Sequence, residues 1–274
     1  MKVAVIQMVS TADVPTNLHQ ARVLLEQASA WGAELAVLPE YFCLMGHSDN
    51  DKLAAREDFG GGPIQQFLAD TARALGLWLV GGTLPLAAPT ADRVYNSSLV
   101  YNPQGGCVAR YDKIHLFRFD NGHENYDEAR VLVAGTQPVR FALPAADGGG
   151  GHTWQIGLSV CYDLRFPELY RAYARQGIDL LLVPSAFTHT TGQAHWEVLL
   201  RARAIENLAF VAAAAQGGEH ANGRRTWGQS LLIDPWGQIL AQKDSGQGVV
   251  CAELDAAVLI QRRSQLPALQ HGVM

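Results

Sequence analysis

The sequence predicts an α/β protein with its strands divided between two sheets, and three observations predict it. Short apolar runs alternate with amphipathic stretches through the first third of the chain. A hairpin pattern follows, and strand–helix–strand alternation returns from Trp154 onward. Alternation of this kind demands a parallel or mixed sheet under helical cover, because parallel strands need long crossovers. No internal repeat and no linker-like stretch divides the chain, so residues 1–274 read as one domain.

Val3-Ala4-Val5-Ile6 is an apolar run suited to a strand buried on both faces. Pro15 opens a first helix with apolar positions at Leu18, Ala21, Val23, Leu24, Leu25 and Ala28, and Gly32 is its stop. Leu35 to Leu38 is the second strand, ended by Pro39, which cannot donate to a ladder. A second helix spans Pro63 to Leu75 with Gly76 as its stop, and Leu77 to Val80 is the third strand. Ser97 to Tyr101 and Cys107 to Tyr111 flank the turn Asn102-Pro103-Gln104-Gly105. From about Ile114 to Gly135 there is no clear periodicity, and a segment of that length points to function. Asp147 to Gly151 is a glycine-rich connector, read as a hairpin tip. Trp154 to Val160 and Ile178 to Val183 are strands around a helix from Pro167 to Gln176. Gln193 to Asn207 is helical, with Trp196, Leu199, Leu200 and Ala204 at core spacing. Phe210 to Ala214, Ser230 to Ile233, Gln238 to Ala241 and Val249 to Leu254 complete the strands, and Asp234-Pro235-Trp236-Gly237 turns between two of them.

The composition excludes several classes. With 48% hydrophobic and 17% charged residues the chain is not disordered, and a net charge of −5 argues against a nucleic-acid footprint. The longest all-apolar run, Leu208 to Ala215, is far short of the ~20 residues of a membrane span. Four cysteines at scattered positions make neither a disulfide framework nor a zinc-ligand spacing, which points to a reducing, cytoplasmic setting. The N-terminal segment lacks the pattern of a signal peptide. Glycine-rich stretches match no nucleotide-binding fingerprint, so no cofactor and no metal are expected.

Three residues stand out as chemistry. Cys161 closes an apolar strand just before a helix begins, where a side chain is presented at the sheet's carboxyl end and a thiolate is favoured. A buried structural cysteine is the competing reading. Glu40 follows the strand end Leu38-Pro39 and so sits on a carboxyl edge, where open α/β folds place their sites; a solvated loop acid is its bland alternative. Lys113 ends a hairpin strand among apolar and aromatic neighbours, and Glu128 is a weaker fourth candidate. A Cys–His–Asp hydrolase is disfavoured because Ser159-Val160-Cys161-Tyr162-Asp163 lacks the glycines of a nucleophile elbow.

Leu38-Pro39-Glu40, Tyr111-Asp112-Lys113-Ile114-His115-Leu116 and Cys161-Tyr162-Asp163-Leu164-Arg165-Phe166-Pro167-Glu168-Leu169, with Arg203-Ala204-Ile205-Glu206-Asn207, resemble the nitrilase, or carbon–nitrogen hydrolase, superfamily. The cysteine motif is similar to that of its Nit branch, which includes ω-amidase and deaminated glutathione amidase. The resemblance covers nearly the whole chain and implies a four-layer α-β-β-α sandwich. It implies a Glu–Lys–Cys triad of Glu40, Lys113 and Cys161, with Glu128 as the family's second glutamate and the Tyr162 N–H as an oxyanion donor. The implied activity is hydrolysis of a small amide, an ω-amide or a deaminated glutathione-like substrate, through a thioester. Nitrilase or N-carbamoyl hydrolase activity and a non-catalytic binding protein are the alternatives. Arg165 is either a cation for a substrate carboxylate or an ion-pair partner of Glu168 or Asp163, and Phe187, Thr188 and His195 are candidates to line the pocket. The resemblance further implies a homodimer or higher homo-oligomer through the helices after Cys161 and after Pro184, with Tyr170, Tyr173 and Trp196 either interface aromatics or part of the subunit's own core.

Overall fold

The computed structural model describes residues 1–144 and 151–273. Its first sheet comprises β1 (Lys2–Gln7), β2 (Leu35–Val37), β3 (Trp78–Val80), β4 (Leu84–Ala87), β5 (Val94–Tyr101) and β6 (Cys107–Asp112). Two short strands, β7 (Arg118–Asp120) and β8 (Asn125–Asp127), pair with each other outside it. The second sheet is built from β9 (Arg140–Leu143), β10 (Trp154–Leu158), β11 (Leu180–Leu182), β12 (Phe210–Ala213), β15 (Ser230–Ile233) and β16 (Ile239–Lys243), while β13 (Gly217–Glu219) and β14 (Arg225–Trp227) form a separate hairpin. The last strand, β17 (Gly248–Glu253), returns to the first sheet and pairs antiparallel with β1. The strand orders are β17-β1-β2-β3-β5-β4, with β6 on β5, and β16-β15-β12-β11-β10-β9. Strands β1 to β3 run parallel, as do β10 to β12, and antiparallel strands complete both sheets.

The alternation of side chains along β1 sets the layers. Val3 and Val5 point into the core shared with the second sheet, whereas Ala4 and Ile6 point at the helices. That outer face is covered by α1 (Val14–Trp31) and α3 (Pro63–Leu75), whose Leu24, Leu25, Ile64 and Leu68 are buried there. On the far side α4 (Pro167–Ala174) and α5 (His189–Asn207) cover the second sheet with Leu169, Tyr170, Trp196 and Leu200. The layers are therefore helix, sheet, sheet, helix. Among the described residues, α2 (Asp49–Ala54) buries no side chain, whereas α6 (Ala256–Gln265) adds the buried Leu259 to the core cluster of the second sheet.

Local signals placed most of the elements. Helix α1 starts with Asp13 accepting from the Thr16 N–H at 2.8 Å and stops at Gly32 in the left-handed region. Helix α5 begins four residues earlier than the core periodicity predicts, capped by Thr188. The unpredicted turn contains Gly192, and a Cβ there would lie 2.2 Å from the Cβ of Trp227, so the glycine serves close packing rather than a break. Six strands (β4, β7, β8, β9, β13 and β14) and helices α2 and α6 are not legible as separate elements in the sequence. Tyr170, Tyr173 and Trp196 face the chain's own core, at 0%, 1% and 1% exposure, so of their two readings the core one holds and not the interface one. The glycine connector lies, apart from Gly151, outside the described residues.

Candidate active site

Glu40, Lys113 and Cys161 come from three different strand ends and meet between the sheets. Glu40 follows β2, Lys113 follows β6, and Cys161 begins a 3₁₀ turn (Cys161–Arg165) after β10. Gly82 fixes the first: a Cβ there would sit 2.0 Å from the Pro39 carbonyl oxygen, so only glycine lets this loop pack against the Glu40 turn. The neighbouring Thr83 Oγ1 accepts from the Tyr41 N–H at 2.9 Å. Lys113 is held by its own N–H, which donates to Asn96 O at 3.0 Å, and by Gly135, whose N–H donates to Lys113 O at 2.8 Å.

The ammonium of Lys113 is buried among carboxylates. It donates to Glu40 Oε1 at 2.9 Å and to Glu128 Oε2 and Oε1 at 2.8 and 3.0 Å. Glu40 also receives Asn96 Nδ2 at 2.8 Å and the Ala186 N–H at 2.9 Å. Glu128 receives the Tyr41 hydroxyl and the Phe117 N–H, each at 2.7 Å. Burial alone would depress the Lys113 ammonium, but Glu128 and Glu40 outweigh it and hold it above its ordinary value. Burial likewise pushes Glu128 up, and the Lys113 charge with the Lys113, Phe117 and Tyr41 hydrogen bonds brings it below the usual carboxylate range. Lys113 is therefore a fixed cation between two anions.

Cys161 is strained and buried. Its φ is 49°, in the left-handed region that non-glycine residues avoid, and its N–H donates to Pro184 O at 3.0 Å. The thiol faces the Glu40 carboxylate and the Ala186 N–H. Burial, then the Glu40 charge, pushes it well above the ordinary thiol value despite Lys113. The sulfur does not sit at the N-terminus of α4, because the 3₁₀ turn intervenes and α4 begins only at Pro167.

Asp163 is a site residue the sequence did not disclose. Fully buried, it accepts from the Val160 N–H at 2.8 Å, the Tyr111 hydroxyl at 2.6 Å, the His115 N–H at 3.0 Å and His115 Nδ1 at 2.7 Å. It thereby ties the turn bearing Cys161 to the end of β6 bearing Lys113. Arg203 supports the same turn from α5, donating through Nε and Nη2 to Leu164 O at 3.1 and 2.8 Å.

A small cavity opens beside Cys161, lined by Phe117, Tyr162, Arg165, Ala186, Phe187 and Thr188, with Thr191. Tyr162, Arg165, Phe187 and Thr188 thus gather around one cavity. His195 does not line this cavity; it stands behind Arg165, with Nδ1 3.2 Å from Nη1. The Arg165 guanidinium lies 5.5 Å over the Phe187 ring and 5.8 Å over that of Tyr162. Among the described residues it pairs with no carboxylate, so the ion pairs considered with Glu168 and Asp163 are not made. Cys43, by contrast, is buried away from the cavity with its thiol against Thr83 O at 3.7 Å. No group of histidine, cysteine and acidic side chains among the described residues could hold a metal ion.

Residues 2–264 match the carbon-nitrogen hydrolase family, and the chain belongs to it: it is a cysteine-dependent amidase of the nitrilase superfamily. Its relatives narrow the branch. A deaminated glutathione amidase from Synechocystis is 40% identical over 98% of this chain and 97% of its own length. A chloroplastic omega-amidase from Arabidopsis thaliana is 36% identical over 95% of this chain and 69% of its own. The crystal structure of the C. elegans NitFhit protein superimposes with a TM-score of 0.86 at 36% identity, covering 99% of this chain and 65% of that longer one. The two mixed sheets flanked by helices are those of the nitrilase fold. No helix among the described residues is long and apolar enough to cross a membrane.

Proposed function

We propose that the chain hydrolyses a small carboxylate-bearing amide, an ω-amide or a deaminated glutathione-like compound, through a thioester on Cys161. One observation carries the reading: the Cys161 thiol faces Glu40, whose carboxylate is held by Lys113, beside a cavity lined by a guanidinium with no carboxylate partner. Glu40 takes the thiol proton as sulfur attacks the carbonyl carbon, so a free thiolate need not accumulate. Charge then develops on the carbonyl oxygen, where Lys113 and the Tyr162 N–H stabilise it; one such donor is worth roughly 3 kcal/mol. Collapse breaks the C–N bond, and Glu40 returns the proton to the departing nitrogen. Water, deprotonated by Glu40, attacks the thioester, releasing the acid and restoring the thiol. Glu128 fixes Lys113 throughout without touching substrate.

Arg165 is assigned to the substrate carboxylate, because a guanidinium without a protein counterion suits bidentate recognition. A panel of ω-amides, N-carbamoyl compounds, peptide-like amides and nitriles, assayed for ammonia or amine release, tests this. Turnover of carboxylate-bearing amides, lost in Cys161→Ala, is the expected outcome. If only nitriles or carbamoyl compounds react, the amide reading is wrong; tight binding without turnover would mark a binding protein.

We also propose a homodimer through α4 and α5. Support comes from Val198 and Ile205, exposed on α5 at 62% and 47%, with Trp236 exposed nearby at 48%.

A further inference from the structure

Tyr41 follows Glu40 directly, is buried, and has a φ of 57°, in the left-handed region that a bulky residue avoids. Such a conformation persists only where the surroundings over-determine it. In extended backbone successive side chains point to opposite faces, yet these two neighbours reach the same cluster of charges. Glu40 meets the Lys113 ammonium at 2.9 Å, and the Tyr41 hydroxyl donates to Glu128 Oε1 at 2.7 Å, 87 residues away in sequence. The kink is held on both sides. The Tyr41 N–H donates to Thr83 Oγ1 at 2.9 Å, and the Leu44 N–H donates to Tyr41 O at 3.1 Å. The proposed mechanism gives the hydroxyl no part.

Four hydrogen bonds saturate Glu128. Oε1 accepts from the Tyr41 hydroxyl and from Lys113, and Oε2 accepts from Lys113 and the Phe117 N–H. One neutral donor thus grips each oxygen and fixes the plane of the carboxylate, while Lys113 spans both. Lys113 stands 2.9 Å from Glu40 and 2.8 Å from Glu128, so neither anion holds it alone. Burial first, then the Glu128 and Glu40 charges, push the Tyr41 phenol well above its ordinary value and keep it a donor. Other charges face this pair from neighbouring elements. Lys52 of α2 lies 5.4 Å over the Tyr41 ring and pairs with Asp49 at 3.2 Å, and Arg224, just before β14, lies 5.0 Å over the Tyr126 ring. His47, Asp127 and Arg130 line the same side. Among the described residues none of these bonds to the Glu128 carboxylate.

Removing the hydroxyl would leave a lone pair of a buried carboxylate unmet and free that carboxylate to turn. Lys113 would then settle toward Glu40. That weakens Glu40 as the base for the Cys161 thiol and draws the ammonium away from the carbonyl oxygen it must meet. We propose that Tyr41 is a positioning residue acting through Glu128: it sets how the Lys113 ammonium is shared between the two glutamates and so tunes Glu40 as a base. This rests on the amidase reading above and adds a residue to its machinery.

The test is Tyr41→Phe, which removes one oxygen and keeps the ring, assayed on an amide that the parent enzyme turns over. Its kcat should fall about tenfold, the effect of losing one hydrogen bond to a charged group. KM should stay within about twofold, because Tyr41 does not line the Cys161 cavity. The acid limb of kcat/KM should move to higher pH, since Glu128 without this donor takes up a proton more readily. Tyr41→3-fluorotyrosine, a stronger donor of nearly the same shape, should move that limb to lower pH, and it decides alone if the Phe variant fails to fold. An unmoved acid limb or an unchanged kcat in Tyr41→Phe reduces the residue to packing and overturns the proposal. A raised KM at parent kcat overturns it too, by placing Tyr41 against substrate. These outcomes leave the amidase reading intact. A parent enzyme that turns over no amide, with Cys161 inert to iodoacetamide, overturns both.

Discussion

Replacing Asp163 by asparagine removes one charge and almost no volume, yet the structure gives it a large effect. Both oxygens are saturated by donors, and each carries one that cannot adapt. Oδ2 receives the Val160 N–H and the Tyr111 hydroxyl, and Oδ1 receives the His115 N–H and its ring Nδ1. The hydroxyl can turn and the ring can change tautomer, but the two backbone N–H groups cannot. Either orientation of the amide therefore sets its NH₂ against a buried backbone donor, at a cost of about 1–3 kcal/mol. Loss of charge assistance in the surviving bonds brings the total to about 2–4 kcal/mol. At about 3 °C per kcal/mol, Tm should fall by roughly 6–12 °C. The Cys161 turn also loses its tie to the Lys113 strand, so kcat should fall on the order of 10²-fold, as misplaced catalytic groups do. Differential scanning calorimetry and amine release measure the two effects. An Asn variant that melts within ~2 °C of the parent with unaltered kcat refutes this account of the turn.

Cys161→Ala should abolish hydrolysis and iodoacetamide labelling while Tm stays nearly unchanged, since one sulfur leaves a cavity edge; retained activity would move the nucleophile elsewhere. Lys113→Arg should be inactive in the same amine-release assay, because a planar fork cannot replace a compact ammonium that meets two carboxylates. The depressed Glu128 contributes stability that is present above its ordinary value near 4.5 and is lost as pH falls through its lower folded value; the raised Lys113 contributes stability that is complete below its ordinary value and is lost only above it. Urea unfolding should therefore show no loss from this pair between about pH 5 and 9, and a steep change within that window would contradict the assignment. Light scattering at micromolar concentration should give twice the mass of one chain, and a mass near 29.7 kDa would sink the dimer.

Sequence pattern disclosed what short-range physics decides. The apolar runs of β1 and β2 and the Pro-to-Gly span of α3 needed no partner to be recognised, and strand-end positions pointed to Glu40, Lys113 and Cys161. What stayed hidden depends on distant partners. Strands β7 and β8 are three residues each, and the segment holding them is ordered by the Phe117–Tyr126 ring contact and by Glu128 accepting the Phe117 N–H. Asp163 looked like an ordinary acid because its donors Tyr111 and His115 lie 52 and 48 residues away in sequence. The surroundings of the Cys161 thiol stay hidden for a related reason: local sequence shows the helix ahead but not the burial or the facing Glu40.

The return of β17 to pair with β1 bears on how the chain is made. During synthesis β1 emerges first, yet its antiparallel neighbour follows only after the whole second sheet has been translated. Until then β1 offers an unpaired edge that can recruit other nascent chains. Closure of the first sheet is thus a late step spanning nearly the full length of the chain, and contacts so distant in sequence fold slowly. Ribosome-stalled chains ending before β17 should be captured by chaperones that recognise exposed strand edges, and chains extended past it should be released.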